Sequence, residues 1–255
     1  MEKYSFDDLC KIIEKLRAPG GCPWDAEQTH ESIKKCMVEE AYEAVEAIES
    51  GDMTKVYDEL GDLLLQVVMH AQIAKENGEF DIADVTNAVS TKMIRRHPHV
   101  FGTTQVNGSE EVLDNWEKIK KVEKGESKTS EGLDSVAHSL PALIRAQKVQ
   151  KKASKAGFDW EDIGGAIDKI KEETAEFEEA VKNGSNTEEE LGDLLFSVVN
   201  AARFAKVDSE EALTQSTRKF IKRFAKMEDE VLKSGKRLED LSLDEMDMIW
   251  NKIKH

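Results

Sequence analysis

The chain has 255 residues, of which 39% are hydrophobic and 35% are charged, and its formal net charge is −16. That length allows one or two domains with a buried core, and the apolar content is too high for a disordered chain. So acidic a chain repels a phosphate backbone, which argues against nucleic acid as a partner. Free nucleotides are not excluded, because divalent cations can bridge carboxylates to phosphates.

The cysteines and the apolar segments indicate a reducing, aqueous compartment. Cys10, Cys22 and Cys36 are odd in number and form no C-x-x-C pair, which argues against a disulfide framework or a zinc site. The amphipathic N-terminus has no apolar signal segment, and no stretch approaches the roughly 20 apolar residues of a membrane span. We therefore expect a cytoplasmic protein with no membrane partner.

Helical periodicity dominates the chain, with apolar residues at three- and four-residue steps. In chain order, helices are predicted over residues 32–48, 56–74, 82–96, 110–123, 140–156, 165–182, 188–206, 209–232 and 243–254. The glycines and prolines of residues 18–24 predict a loop. No convincing alternating strand pattern is present, so the sequence predicts an all-α fold.

The chain repeats itself across a polar, weakly periodic segment at residues 124–134, which is the candidate linker. It separates a first unit at residues 1–123 from a second at residues 135–255. Each unit contains an EExxE motif followed by ELGD, and two of the four tryptophans, in the same order, fall in each unit. The tryptophans are Trp24 and Trp116 in the first unit and Trp160 and Trp250 in the second. This pattern predicts two tandem copies of one helical unit.

Carboxylates are spaced to meet within each copy. In the first, Glu40 and Glu43 are three residues apart and share a helix face, as do Glu59 and Asp62 on the next helix. The glycine turn between these helices predicts an antiparallel hairpin, so the four carboxylates should converge, with Glu39 at their edge.

Clustered carboxylates destabilise a fold unless a cation compensates them. Mg²⁺ takes oxygen ligands and binds through a few carboxylates together with substrate phosphates. No histidine accompanies the set, which favours Mg²⁺, with Mn²⁺ as a possible substitute, over zinc. A Glu-rich helix face is more often plain solvated surface, but the paired motifs occur twice on otherwise apolar helices, which favours a metal site.

These motifs resemble the signature of the all-alpha NTP pyrophosphohydrolase superfamily, and further motifs resemble the MazG family. The latter are GCPWDAEQT at residues 21–29, ELGD at 59–62, RRHPHVFG at 95–102 and AGFDW at 156–160. The resemblance covers nearly the whole chain and implies two tandem MazG-type units. It also implies Mg²⁺-dependent cleavage of NTPs or dNTPs between the α and β phosphates, in nucleotide-pool house-cleaning or regulation.

The resemblance implies one ligand set in each unit. The metal ligands would be Glu40, Glu43, Glu59 and Asp62 in the first unit, and Glu173, Glu176, Glu190 and Asp193 in the second. Glu39 would be a further ligand or would orient the attacking water, and Glu172 lies at the matching position.

Basic and aromatic residues are candidates for binding the substrate. Arg95 and Arg96 lead, since a guanidinium binds phosphate bidentately; the alternative is a basic helix end that faces the helix dipole. The further candidates are Trp116, Lys118, Lys120, Glu172, Lys222, Arg223, Trp250 and Lys254. Trp116 either stacks on the base or only packs.

The two units differ in their motifs, and the fuller set predicts that the first is the main active one. Other classes remain open: a metal-binding helical scaffold, a pyrophosphohydrolase specialised for one nucleotide, or a di-iron bundle, for which Glu27 and His30 form only one ExxH motif. A single hairpin does not enclose a site, so we expect a homodimer that packs hairpins into four-helix bundles.

Overall fold

The computed structural model describes residues 3–125 and 128–253. Across those two ranges it contains thirteen α-helices, a single 3-10 turn at Leu238–Asp240 and no β-strand. The all-α prediction is therefore confirmed. In the same ranges, no helix is long and apolar enough to cross a membrane.

The chain divides into two compact units between Lys120 and Lys121. The helices of the first unit are α1 (Phe6–Arg17), α2 (Pro23–Glu27), α3 (His30–Ser50), α4 (Met53–Glu76), α5 (Ile82–Arg96), α6 (Pro98–Phe101) and α7 (Ser109–Glu123), whose last residues pass the division. Those of the second unit are α8 (Thr129–Asp134), α9 (Ala142–Lys155), α10 (Ile163–Asn183), α11 (Thr187–Phe204), α12 (Ser209–Lys233) and α13 (Leu243–Ile253).

Two short helices, α2 and α8, overlap the predicted loop and the predicted linker, and a third, α6, lies where no helix was predicted. The loop predicted at residues 18–24 ends early, because Pro23 occupies the first position of α2; Pro98 begins α6 in the same way. The predicted linker 124–134 includes α8, and its residues 126 and 127 lie outside the described part of the chain. The predicted boundaries at residues 123 and 135 stay predictions.

Each unit contains one long helix hairpin. In the first, Gly51 ends α3 with a left-handed φ of 72°, and the side chain of Asp52 accepts the Thr54 N–H at 2.9 Å to begin α4. In the second, Gly184 ends α10 with a φ of 65°, and α11 begins at Thr187. Loops this short make the two helices of each hairpin antiparallel neighbours.

The core of the first unit lies along the second half of α4. Its buried residues come from α1, α3 and α4 and are Ile13, Ile33, Val68, Met69 and Ile73. Glu59 and Asp62 lie nearer the start of α4, beyond this core. The two acidic residues of α4 therefore lie between this core and the turn of the hairpin.

Both hairpins expose large apolar side chains beside their carboxylates. On the first hairpin these are Val38, Tyr42, Val45, Ile48, Tyr57, Leu60 and Leu64; on the second they include Ile167, Val181, Leu191, Leu195 and Val198. Ile48 and Val181 occupy corresponding positions and are 56% and 55% exposed.

Candidate metal and nucleotide site

Carboxylates from α3 and α4 meet in the first unit. One oxygen from each of Glu40, Glu43 and Glu59 lies within 4.8 Å of the other two. Asp62 is outside this triad, but its charge is close enough to raise the pKa of both Glu40 and Glu59. The hairpin thus brings the four predicted ligands into one region, and three of them have oxygens within 4.8 Å of one another.

The carboxylates of the first cluster repel one another. Burial raises the pKa of Glu40, and the charges of Asp62, Glu43, Glu59 and Glu39 raise it further. Burial, followed by the charges of Glu43 and Asp62, also raises the pKa of Glu59. Raised carboxyl pKa values mark a place where a cation would stabilise the ionised side chains.

The second unit repeats this arrangement with different members. Its triad is Glu173, Glu190 and Asp193, again with ligand atoms within 4.8 Å. Glu176, outside the triad, has its pKa raised by burial and then by the charge of Glu173. Glu173 is only 5% exposed, so a carboxylate of this cluster lies in the interior of the hairpin.

A lysine, not identified from the sequence, enters the second cluster. Lys169 Nζ lies 2.7 Å from Glu173 Oε1 and 2.8 Å from Glu172 Oε1. These hydrogen bonds, Glu172 first, raise the pKa of Lys169. Its spacing of three and four residues before the two glutamates is the sequence signal that could have revealed it.

Open space lies beside one glycine in the second helix of each hairpin. Gly61 separates Glu59 from Asp62, and Gly192 separates Glu190 from Asp193. A Cβ built on either glycine would meet no described atom within 4 Å. Packing within the described chain therefore does not require these glycines, and the space is available to a bound ion, a substrate or a second chain.

Of the basic candidates of the first unit, Arg96 packs on Trp116. Arg95 and Arg96 end α5, and the Arg96 guanidinium lies 5.5 Å from the centre of the Trp116 ring. The His97 ring packs nearly perpendicular to the same ring, with 4.8 Å between the ring centres. Trp116 is half-buried in these contacts, while Lys118, farther along α7, is exposed, and Lys120 is half-buried.

In the second unit, Lys222 and Arg223 line a surface cleft of about 270 Å³ along α12. Its other lining residues are Gln215, Arg218, Lys219 and Lys226. Trp250 packs on Phe220 of α12, with 5.2 Å between the ring centres. Lys254 lies outside the described residues.

His30, the histidine of the single ExxH motif, contacts another histidine, whereas a di-iron site would use it as an iron ligand. Its Nδ1 shares a hydrogen bond of 2.7 Å with Nδ1 of His70, and the two rings are stacked. His30 therefore ties the start of α3 to α4 and stands apart from the Glu40 triad.

Two helix hairpins that each gather acidic side chains define an all-α protein with a duplicated carboxylate site. The model of the MazG nucleotide pyrophosphohydrolase domain matches residues 28–101 and 165–227, which contain both clusters. The chain belongs to this family, as its motifs predicted.

Full-length relatives support the assignment. The nucleoside triphosphate pyrophosphohydrolase/pyrophosphatase MazG of Thermotoga maritima is 49% identical over 249 residues, or 98% of this chain and 95% of that protein. A nucleoside triphosphate pyrophosphohydrolase of Escherichia coli K12 is 43% identical over 253 residues, or 97% of this chain and 96% of that protein. The prediction of an enzyme of this family is confirmed.

Proposed function

We propose that this chain hydrolyses NTPs and dNTPs between the α and β phosphates, releasing a nucleoside monophosphate and pyrophosphate, with Mg²⁺ held at the acidic clusters. The observation that carries the proposal is the convergence of Glu40, Glu43 and Glu59 within 4.8 Å inside a segment that matches the MazG domain. The names of both full-length relatives agree with pyrophosphohydrolysis. Nucleotide-pool house-cleaning or regulation is the role we propose for it.

The donor sets fit a hard divalent cation. Each offers carboxylate oxygens at close range, and open space lies beside each glycine. The proposed ligands are Glu40, Glu43, Glu59 and Asp62, and in the second unit Glu173, Glu176, Glu190 and Asp193. When bound, Mg²⁺ would neutralise triphosphate charge and lower the pKa of water; Mn²⁺ would substitute.

The remaining residues bind and orient the substrate. Glu39, beside Glu40, orients the attacking water or adds a ligand, and a carboxylate near the water accepts its proton. Arg95 and Arg96 bind phosphate oxygens. Lys118 and Lys120, which follow Trp116 in the sequence, also bind phosphate. In the second unit, the proposed substrate residues are Glu172, Lys222, Arg223, Trp250 and Lys254. Phosphoryl transfer depends on such positioning and charge neutralisation more than on covalent chemistry.

The first unit is proposed as the main active one because its motif set is fuller. It has the Cys-Pro-Trp-Asp loop and the Arg-Arg-His-Pro-His run, whereas the second has Phe-Asp-Trp-Glu and Lys-Arg-Phe at these places. Turnover that survives loss of the first cluster but not of the second would reverse this assignment.

A homodimer is proposed as the assembled form. The apolar side chains exposed beside each cluster would be buried if a second hairpin packed across them into a four-helix bundle. A bundle of this kind would also close the side of the cluster that a single hairpin leaves open.

The test is to identify the products formed from a panel of NTPs and dNTPs with Mg²⁺. Monophosphate plus pyrophosphate, abolished by EDTA, is the expected result; diphosphate plus orthophosphate would overturn the site of cleavage. No turnover, with Mg²⁺ still raising the melting temperature, would favour a metal-binding scaffold. A separate reaction with pyrophosphate as the only substrate shows whether the protein also hydrolyses pyrophosphate to orthophosphate.

Paired variants assign the activity to a unit. We expect Glu40→Gln with Glu43→Gln to remove most of the turnover, and Glu173→Gln with Glu176→Gln to remove less. The matched controls are Glu31→Gln on α3 and Glu178→Gln on α10, exposed glutamates whose ion pairs are with Lys34 and Lys182.

A further inference from the structure

An open cavity of about 570 Å³ lies in the second unit, between α8, α9 and α11. Its volume is in the range of small-molecule sites. The larger apolar residues of its wall are Leu133, Leu140, Val149 and Phe196, and one arginine, Arg145, lines it as well. Its lining includes none of the residues proposed to bind metal or nucleotide. The cavity is therefore a mainly apolar space with a single permanent cation.

The guanidinium of Arg145 is incompletely satisfied in this cavity. Its Nη2 donates a hydrogen bond to Nδ1 of His138 at 3.1 Å. Its Nε is buried and has no acceptor among the described residues. A buried N–H group without a partner destabilises a fold, and more so on a charged side chain. Nε and Nη2 form one edge of the guanidinium, and a carboxylate can bind such an edge through two parallel hydrogen bonds.

The groups around Arg145 can make way for a ligand at the rim of the cavity. His138 accepts from Arg145 through Nδ1, and its Nε2 lies 3.4 Å from Oδ1 of Asp134. The side chains of His138 and Asp134 are 69% and 82% exposed. A histidine as exposed as this can turn into solvent, so that a ligand carboxylate replaces its nitrogen as the acceptor for Arg145. Asp134 at the same rim repels a ligand that carries several negative charges.

The first unit has an apolar residue at the position of Arg145. When the Gly-x-x-Trp segments that end at Trp24 and Trp160 are aligned, Leu9 corresponds to Arg145. Leu9 packs against the buried core of the first unit. A leucine at this position is satisfied by packing alone, whereas a buried arginine requires an acceptor. This difference favours a ligand-binding role for Arg145 over a role in packing.

We propose that this cavity binds a small organic anion that has one carboxylate on an apolar body, with Arg145 on the carboxylate and Val149 and Phe196 against the body. One arginine matches one negative charge, and the apolar wall matches a body that is stabilised by leaving water. A triphosphate carries several charges, which the apolar wall would leave without partners. The proposed site is therefore distinct from the one proposed for NTPs.

The experiment titrates the full chain with cinnamate, an aromatic carboxylate, and with cinnamyl alcohol, its neutral counterpart. Calorimetry is expected to show that cinnamate binds at least about tenfold more tightly than the alcohol, because only the anion forms charge-assisted hydrogen bonds. Arg145→Met should weaken cinnamate binding by at least about tenfold for the same reason. Lys148→Met is the matched control, because it removes the same charge from α9 at an exposed residue that does not line the cavity.

A second variant tests the cavity without removing a charge. Ala142 is exposed at the start of α9 and lines the cavity, so an indole at this position fills the space while the core stays unchanged. Ala142→Trp is expected to abolish cinnamate binding. Circular dichroism confirms that each variant keeps its helical content.

The possible results separate this site from the proposed enzyme site. The proposal is overturned if the unsubstituted chain does not bind cinnamate, if it binds the alcohol equally well, or if Arg145→Met or Ala142→Trp binds cinnamate as the unsubstituted chain does. Equal weakening by Lys148→Met would mean that net charge alone attracts the anion, which also overturns it. Displacement of cinnamate by ATP with Mg²⁺ would assign the anion to the substrate site and overturn it too. Failure of NTP turnover would count only against the proposed function.

Discussion

Arg17 joins three segments of the first unit through one buried guanidinium. Its Nε and Nη2 donate to the Glu76 carboxylate, the latter at 2.7 Å, and its Nη1 donates to the carbonyls of Asp25 and Gln28. We expect Arg17→Met to lower the free energy of unfolding by about 2 kcal/mol, because the carboxylate and both carbonyls lose their donor. Urea denaturation measures this change.

The pH dependence of this loss of stability tests whether the hydrogen bonds between Arg17 and Glu76 cause it. Hydrogen bonds from Arg17 hold the pKa of Glu76 below its ordinary value of 4.5. A lowered carboxyl pKa stabilises the fold above pH 4.5, and this contribution is lost as the pH falls through the lower, folded-state value. The difference in the free energy of unfolding between the wild type and Arg17→Met should therefore narrow below pH 4.5.

Lys75→Met is the control for this loss of stability. It removes an exposed ion pair with Glu14 and should lower the free energy of unfolding by less than about 0.5 kcal/mol.

Gly61 is expected to lower the stability of α4 and to leave space on this helix that a bulkier residue would fill. Because a Cβ there meets nothing within 4 Å, Gly61→Ala should raise the free energy of unfolding by about 1 kcal/mol through helix propensity. The same methyl group would occupy the open space on this face of α4 and crowd a substrate or a second chain that approaches it, so turnover should fall. Thermal unfolding and kcat/KM measured together decide this. A stabilised variant with unchanged kcat/KM would show that the glycine has no part in the site.

At the scale of the element, the start of α3 is held to α4 by the His30–His70 hydrogen bond. Burial, followed by the charge of His30, lowers the pKa of His70 below its ordinary value of 6.5. The folded state therefore favours neutral His70, and the unfolded chain binds more protons below that pH. We expect the free energy of unfolding to fall as the pH drops from 6.5 towards the folded-state pKa.

The second unit supplies the control for this pair. Ile163 and Ala201 occupy the positions that correspond to His30 and His70. The double substitution His30→Ile with His70→Ala should remove the fall in stability, as measured by chemical unfolding at several pH values. If the fall persists in the double variant, other groups cause it.

The long helices could be predicted from the sequence, and the shortest ones could not. Apolar periodicity over fifteen or more residues leaves little ambiguity, and α5 has the predicted bounds 82–96. A helix such as α6, with four residues, is too short for any periodicity, and its initial proline resembles a turn signal. The acidic triad of Glu40, Glu43 and Glu59 could be predicted because a short turn converts spacing along two helices into proximity.

Contacts between distant residues could not be predicted in this way. Arg17 and Glu76 are 59 positions apart, and His30 and His70 are 40 apart. Their pairing depends on how helices rotate against one another in the core, which periodicity alone does not specify. Lys169 differs, because its contact with Glu173 is local and follows from helical spacing.

At the scale of the whole molecule, the exposed hairpin faces predict the assembly. Ile48→Asp should convert the proposed dimer into monomers, because it would place a charge in an apolar interface. Sedimentation velocity at micromolar concentration measures this. Val122→Asp on α7, where the side chain is 81% exposed and lies outside both hairpins, is the control. A monomeric wild-type chain under the same conditions would contradict the proposal.

The short turns at Gly51 and Gly184 also bear on how the chain acquires its structure. Closing a loop of two or three residues costs little entropy, and contacts between neighbours in sequence favour rapid folding. Each acidic hairpin should therefore form early, ahead of the contacts that α1 makes with α4. During synthesis, the first hairpin can close while the second unit is still inside the ribosome.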